Sequence, residues 1–111
     1  MESSAFAAEM ANAWFDRLRA GHQVGMSRLR LGPIQMVHLP GEPFVEFQLF
    51  AQQHAPESFV CVAGYGECGV WYYGPDVIFA DRGGYEQTWS FAEPCYDLVK
   101  EAIGKLVTTN K

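Results

Sequence analysis

Two residues near the middle of the chain stand where metal or acid–base chemistry is often built: His38 and Glu42, in the run His38-Leu39-Pro40-Gly41-Glu42. A carboxylate at a strand-to-helix turn can ligate a metal or act as a base, and a helix N-terminus favours its charged form. The plainer role for Glu42 is to offset the helix dipole, with His38 a satisfied core or edge residue, because one His and one Glu make only half a metal site. A second group is aromatic. Tyr65, Trp71, Tyr72 and Tyr73 punctuate a glycine-rich stretch, and rings with polar tips are common walls of small-molecule pockets. They serve equally well as caps on the open end of a small sheet. Asp76, Asp81 and Arg82 read as a solvated turn with a surface ion pair. Gly83-Gly84-Tyr85-Glu86 is a permissive turn and no phosphate loop, since neither Lys nor Ser/Thr follows at the required spacing.

Three cysteines, Cys61, Cys68 and Cys95, cannot all pair within one chain, and their spacing fits no zinc finger. Without a secretion signal they are expected to be reduced thiols of a cytoplasmic protein. Cys61, in the run Phe59-Val60-Cys61-Val62-Ala63, is expected in the core. Cys68, among glycines, is expected nearer the surface, with no nearby base evident to activate it.

The elements that position these residues follow from periodicity. Phe6, Met10, Trp14 and Leu18 recur at near-helical spacing after Ser3 or Ser4, predicting an amphipathic helix over 4–20 that Gly21 ends. Residues 24–31 alternate, with Leu29 and Leu31 on one side and Arg28 and Arg30 on the other, as in a half-buried strand. Gly32-Pro33 breaks it before a second strand over 34–39, a hairpin with an unusual turn pair. Pro43 suits the first position of a helix over 43–54. That helix is apolar at Phe44, Val45, Phe47, Leu49 and Phe50, so it needs cover on more than one side. Pro56 stops it, and the apolar strand 58–63 is expected at the sheet centre. The 64–84 stretch is too long for an idle connection. A last helix over 94–107 buries Cys95, Val99, Ala102, Ile103 and Leu106.

The order α-β-β-α-β-loop-α gives the fold class α+β, one small domain over 1–111 with helices packed on a small sheet. Its 111 residues, 49% hydrophobic and 19% charged, suit such a domain and exclude disorder. Eight basic against thirteen acidic residues, net charge −5, speak against nucleic acid, whose phosphates are met by Lys and Arg. No apolar run reaches the length of a membrane span.

Two segments together resemble a known family: Leu39-Pro40-Gly41-Glu42-Pro43-Phe44, then Val62-Ala63-Gly64-Tyr65-Gly66 running on to Gly83-Gly84-Tyr85-Glu86. They look like the C-terminal part of the catalytic domain in neutral/alkaline (non-lysosomal) ceramidase-like proteins, over roughly Val24 to Leu106. The resemblance implies descent from zinc-dependent amidohydrolases that cleave the N-acyl bond of ceramide, their zinc held by two histidines, a glutamate and a tyrosine. It places the glutamate on Glu42. Counting back from Tyr85-Glu86 places a family tyrosine on Tyr73, with Tyr72 and Tyr65 left open. The family's two zinc histidines lie upstream of anything in this sequence, so His38 would have to join Glu42 and Tyr73 as a ligand.

Two expectations result. In the first the chain is a non-catalytic module, with no cofactor, that binds a small apolar or lipid-like molecule or a protein partner. Tyr65, Trp71, Tyr72 and Tyr73 would make the wall and Glu42 the edge of that site. In the second it is a metal-dependent amide hydrolase, with zinc at His38, Glu42 and Tyr73, completed by another chain. Under either, a homo-oligomer is expected, because the strands of the resemblance belong to a larger sheet and a stand-alone version exposes an edge or an apolar face.

Overall fold

The computed structural model describes residues 2–66, 71–80 and 84–109. Cys68, the Asp81–Arg82 pair and Gly83 lie outside them. The architecture is α+β, one small domain of helices on a small mixed sheet. Helix α1 spans Glu2–Arg19, so it begins before Ser3 and Ser4, which are not its caps. It ends in a Schellman turn: Gly21 at φ +84° donates to Leu18 O and His22 to Arg17 O, satisfying two terminal carbonyls.

Strands β1 (Ser27–Leu31) and β2 (Ile34–Pro40) form the hairpin, with Leu31 opposite Ile34. The odd Gly32-Pro33 pair works because Gly32 takes φ +58° while proline holds φ near −65°. Those are the signs of a type II′ turn, whose twist suits antiparallel strands. After the two-residue strand β3 (Glu42–Pro43), helix α2 runs over Val45–His54. Pro43 is therefore not its first residue; Phe44 is the N-cap, with no side-chain capping bond. Strand β4 (Phe59–Gly66) returns parallel to β2. Next come β5 (Tyr72–Tyr73), the single turns α3 (Val77–Ala80) and α4 (Tyr85–Thr88), and α5 (Tyr96–Thr108).

The sheet order is β1-β2-β4. The expected centre is therefore overturned: β2 is central and β4 lies at an edge. Its apolar run reflects two apolar faces rather than two neighbours. Val60 and Val62, in register with Gln35 and Val37, face the side on which α2 and α5 pack. Phe59, Cys61 and Ala63 share the opposite face with Ile34, Met36 and His38, since strand side chains alternate. On the helix side, Val37, Leu39, Phe47, Ala51 and Ile103 are fully buried. The other face is bare: Leu29, Leu31, Ile34, Met36 and Phe59 are all exposed, Leu31 by 61% and Phe59 by 69%. Cys61 is only half-buried, not a core residue, with its thiol toward Gln35 O.

The β4 edge is partly sealed from α2. Gln48 Oε1 accepts from Val62 N at 3.4 Å, and Gln52 Nε2 donates to Val60 O at 3.2 Å. Those glutamines do for the strand what another strand would do. One buried polar residue joins sheet to helix. Gln35, 3% exposed, donates to Ser58 Oγ and Val107 O and accepts from Arg28. Its amide is thus fully paired, as burial demands. Helix α5 buries Val99, Ile103 and Val107, one residue per turn.

Helix α1 departs most from expectation. Of its apolar stripe only Trp14 is buried, while Phe6 and Leu18 are exposed. Trp14, 5% exposed, seats the helix on the body, and the molecule extends 50 Å along its longest axis.

Candidate functional site

The Pro40-Gly41-Glu42 turn is built by close approach of two chain segments. Gly41 takes φ +56° and exchanges bonds with the β4 end: its N–H donates to Gly66 O at 3.1 Å, and Tyr65 N–H donates to its carbonyl at 2.6 Å. A Cβ at Gly66 would sit 2.9 Å from Leu39 O, which explains why the sequence reads Gly-Tyr-Gly there. Glu42 N–H then donates to Trp71 O at 2.7 Å, and Phe44 N–H to Tyr73 O at 3.0 Å. These bonds set β3 beside β5 in parallel, with Glu42 opposite Tyr72 and Pro43 opposite Tyr73.

Two hydroxyls meet the Glu42 carboxylate. Tyr65 Oη donates to Glu42 Oε2 at 3.2 Å, and the Tyr72 hydroxyl lies close enough to the same carboxylate for Glu42 to shift its ionisation. Holding a phenol proton beside a carboxylate opposes its loss. The hydrogen bond and the negative charge raise Tyr65 above the ordinary tyrosine value, and the Glu42 hydrogen bond, with lesser help from burial and charge, pushes Tyr72 up to about 12. Around them lies an open cleft of about 550 Å³, lined also by Phe44, Val45, Gln48 and Glu86. Tyr65 and Trp71 both take left-handed backbone, φ +59° and +56°. Non-glycine residues held there are strained, and such strain gathers at functional sites.

The structure corrects three sequence expectations. Tyr73 is not the tyrosine at Glu42. It is 2% exposed, its ring packs on Phe47 at 5.3 Å, and among the described residues its hydroxyl has no hydrogen-bond partner. Strand alternation is the reason, since adjacent residues point to opposite sides. His38 does not join Glu42 either. It lies on the bare sheet face with Ile34 and Met36, and among the described residues no group of three His, Cys, Asp or Glu side chains is placed to hold a metal. The aromatic wall, finally, is split. Tyr65 and Tyr72 belong to the Glu42 cleft, Tyr73 to the core, and Trp71 stacks on Trp89 at 5.0 Å and tilts on Phe91 at 5.4 Å.

Sequence reasoning missed Trp89, Ser90 and Phe91. Ser90 Oγ donates to Tyr72 O at 2.6 Å, and the Ser90 backbone pairs with Trp71 in an antiparallel bridge; together they anchor the strand that carries the site. Tyr85 meets Tyr72 edge-on at 5.8 Å. The available signal was the alternation Trp89-Ser90-Phe91 beside Trp71-Tyr72-Tyr73, a pattern that suits paired extended segments.

A carboxylate and a phenol are oxygen donors suited to zinc, but a catalytic zinc takes about three protein ligands. The described residues therefore do not make a complete zinc site. What they make is a proton-sharing carboxylate–phenol cluster in an open cleft. Among the described residues no helix is long and apolar enough to cross a membrane. Compared with protein-family models, with curated proteins and with solved structures, the chain matches none. The ceramidase-like resemblance rests on the motif residues alone.

Proposed function

We propose that the chain is a ceramidase-like C-terminal domain that binds rather than catalyses on its own. In this reading Glu42 and Tyr72 are its contribution to a metal-dependent amide hydrolase site that another polypeptide completes. One observation carries this. The fold brings Tyr65 and Tyr72, the two tyrosines the resemblance left open, beside the glutamate it marks, and not Tyr73, on which it places a family tyrosine. Zinc in a completed site would polarise an amide carbonyl and activate water. The chain's own residues would orient the substrate and hold a proton at Glu42, and the Phe44 and Val45 side of the cleft would receive a small apolar or lipid-like group.

Calorimetric titration of the purified chain with zinc tests the assignment. Weak binding is expected, lost in Glu42→Gln and in Tyr72→Phe and retained in Tyr73→Phe. Binding that survives Glu42→Gln would sink it.

In the same reading the bare sheet face of Leu29, Leu31, Ile34, Met36 and Phe59 is covered by a second copy when the chain is alone. Those five side chains leave about 500 Å² of apolar surface open, near the upper end for an ordinary monomer. The two copies together approach the low end of a specific interface, about 1,200 Å² in total. The mass in solution should be that of a dimer, falling to the monomer in Leu31→Glu/Phe59→Glu. A monomeric wild-type chain would refute it.

A further inference from the structure

The Glu42 cleft carries more negative charge than the zinc half-site uses. Glu86, from α4, lines it together with Glu42, and among the described residues no Lys, Arg or His does. Two carboxylates alone would be no site, but here they share a hollow of about 550 Å³ with the rings of Phe44, Tyr65 and Tyr72. That volume lies within the range of small-molecule sites. The 3.2 Å bond to Glu42 Oε2 ties down the Tyr65 ring, and the Tyr85 ring steadies Tyr72 from 5.8 Å. A ring face is negative through its quadrupole and attracts a cation within about 6 Å of its centre. Both phenols are held above the ordinary tyrosine value, so at neutral pH they face the cleft as neutral rings. The lining also selects among cations. Glu42 Oε2 already accepts from Tyr65, and Gln48 Oε1 accepts from Val62 N–H. A primary ammonium brings three N–H donors that compete for such acceptors. A quaternary ammonium brings none, and needs only charge, ring faces and apolar wall.

We propose that the cleft binds a small quaternary ammonium ion, drawn by Glu42 and Glu86, with its methyl groups on the Tyr65 and Tyr72 rings and its remaining carbons toward Phe44 and Val45. The inference rests on the reading of this cleft as the chain's binding site and deepens it by naming the class of ligand; it does not depend on zinc. A trimethylammonium group is carried by free amino alcohols and by zwitterionic lipid headgroups alike. The phosphate of a headgroup would lie near two carboxylates, with no cation among the described lining residues to meet it, and like charges repel. The net charge of −5 acts in the same sense, drawing cations and turning anions away. The free cation is therefore the ligand.

The probe is choline, titrated calorimetrically into the folded, chelator-treated chain. Its controls are 3,3-dimethylbutan-1-ol, the uncharged counterpart of the same shape, and phosphocholine, the headgroup. Saturable one-to-one binding of choline is expected, with each control roughly tenfold weaker or more. Glu86→Gln should weaken choline about threefold, the loss of one charge in a wet cleft, and leave the zinc titration unchanged. Tyr72→Leu removes a ring face and should weaken choline about two- to fivefold, as for an exposed cation–π contact. Tyr72→Phe keeps that face and should bind choline as the wild type does, although it is expected to lose zinc. Choline binding in a chain that takes up no zinc would refute the half-site and leave this proposal standing; zinc binding without choline binding would do the reverse. The proposal is overturned by no saturable choline binding, by either control binding as tightly as choline, or by full affinity in both Glu86→Gln and Tyr72→Leu.

Discussion

Tyr72 and Tyr73 are the same residue at adjacent positions, and their hydroxyls meet opposite surroundings. Tyr72 reaches outward to a carboxylate, under the edge of the Tyr85 ring. Tyr73 turns inward against Phe47, and among the described residues its oxygen finds no hydrogen-bond partner. The only structural difference is strand parity, which sends one side chain to each side of a two-residue strand. Parity is imposed from outside that strand, by Glu42 N–H bonding Trp71 O and Phe44 N–H bonding Tyr73 O. Composition marks this stretch as aromatic; only the pairing with β3 decides which ring is chemistry and which is core.

The sharpest way to break the comparison is to delete each ring. Tyr73→Ala should cost about 3–5 kcal/mol, as removing a buried aromatic does. Tyr72→Ala, at a half-exposed ring, should cost about 1 kcal/mol or less. Urea midpoints of the two variants measure the contrast, and equal losses would mean that parity does not separate core from cleft. A smaller effect is expected one residue on. A Cβ at Gly74 would lie 2.6 Å from Phe44 Cγ and 2.9 Å from its Cβ, near the root of a side chain that cannot simply swing away. Gly74→Ala should therefore cost about 1–3 kcal/mol through overpacking. It should also disturb zinc binding at Glu42, because Phe44 carries the backbone bond to Tyr73. A neutral Gly74→Ala variant would show that the β3–β5 pairing tolerates a shift.

Much of the frame was legible in the sequence. The α+β class, the 32–33 hairpin turn, and the Val99 and Ile103 stripe of α5 all follow from local periodicity and turn chemistry. What misled was nonlocal. An unbroken apolar run at 59–63 cannot distinguish a central strand from an edge strand whose second apolar face is bare, because both bury or present alternate residues alike. The α1 stripe has helical spacing whether or not anything covers it. At the site, Glu42 was found by its turn, whereas the choice among Tyr65, Tyr72 and Tyr73 depended on a pairing between segments about thirty residues apart. Chain order holds no record of that register.

The finest form of the comparison is electrostatic and leaves the fold intact. Tyr72 ionises only when pushed to about 12, with the Glu42 hydrogen bond the largest cause; an unfolded tyrosine ionises near 10. The folded state therefore prefers the protonated phenol. Any stability the pair contributes is fully present below pH 10, and it disappears as pH rises from about 10 through about 12. In Glu42→Gln the acceptor oxygen remains while the negative charge is gone, and Tyr72 should fall back toward 10. Tyr65, raised by the same carboxylate, should fall with it, and Tyr73, held up by burial and Cys95, should not move. Phenolate absorbance during alkaline titration reads all three, with Tyr→Phe variants assigning each step. A Tyr73 step that shifts with Tyr72 in Glu42→Gln would place both hydroxyls in one field, and the two sides of the strand would no longer be distinct environments.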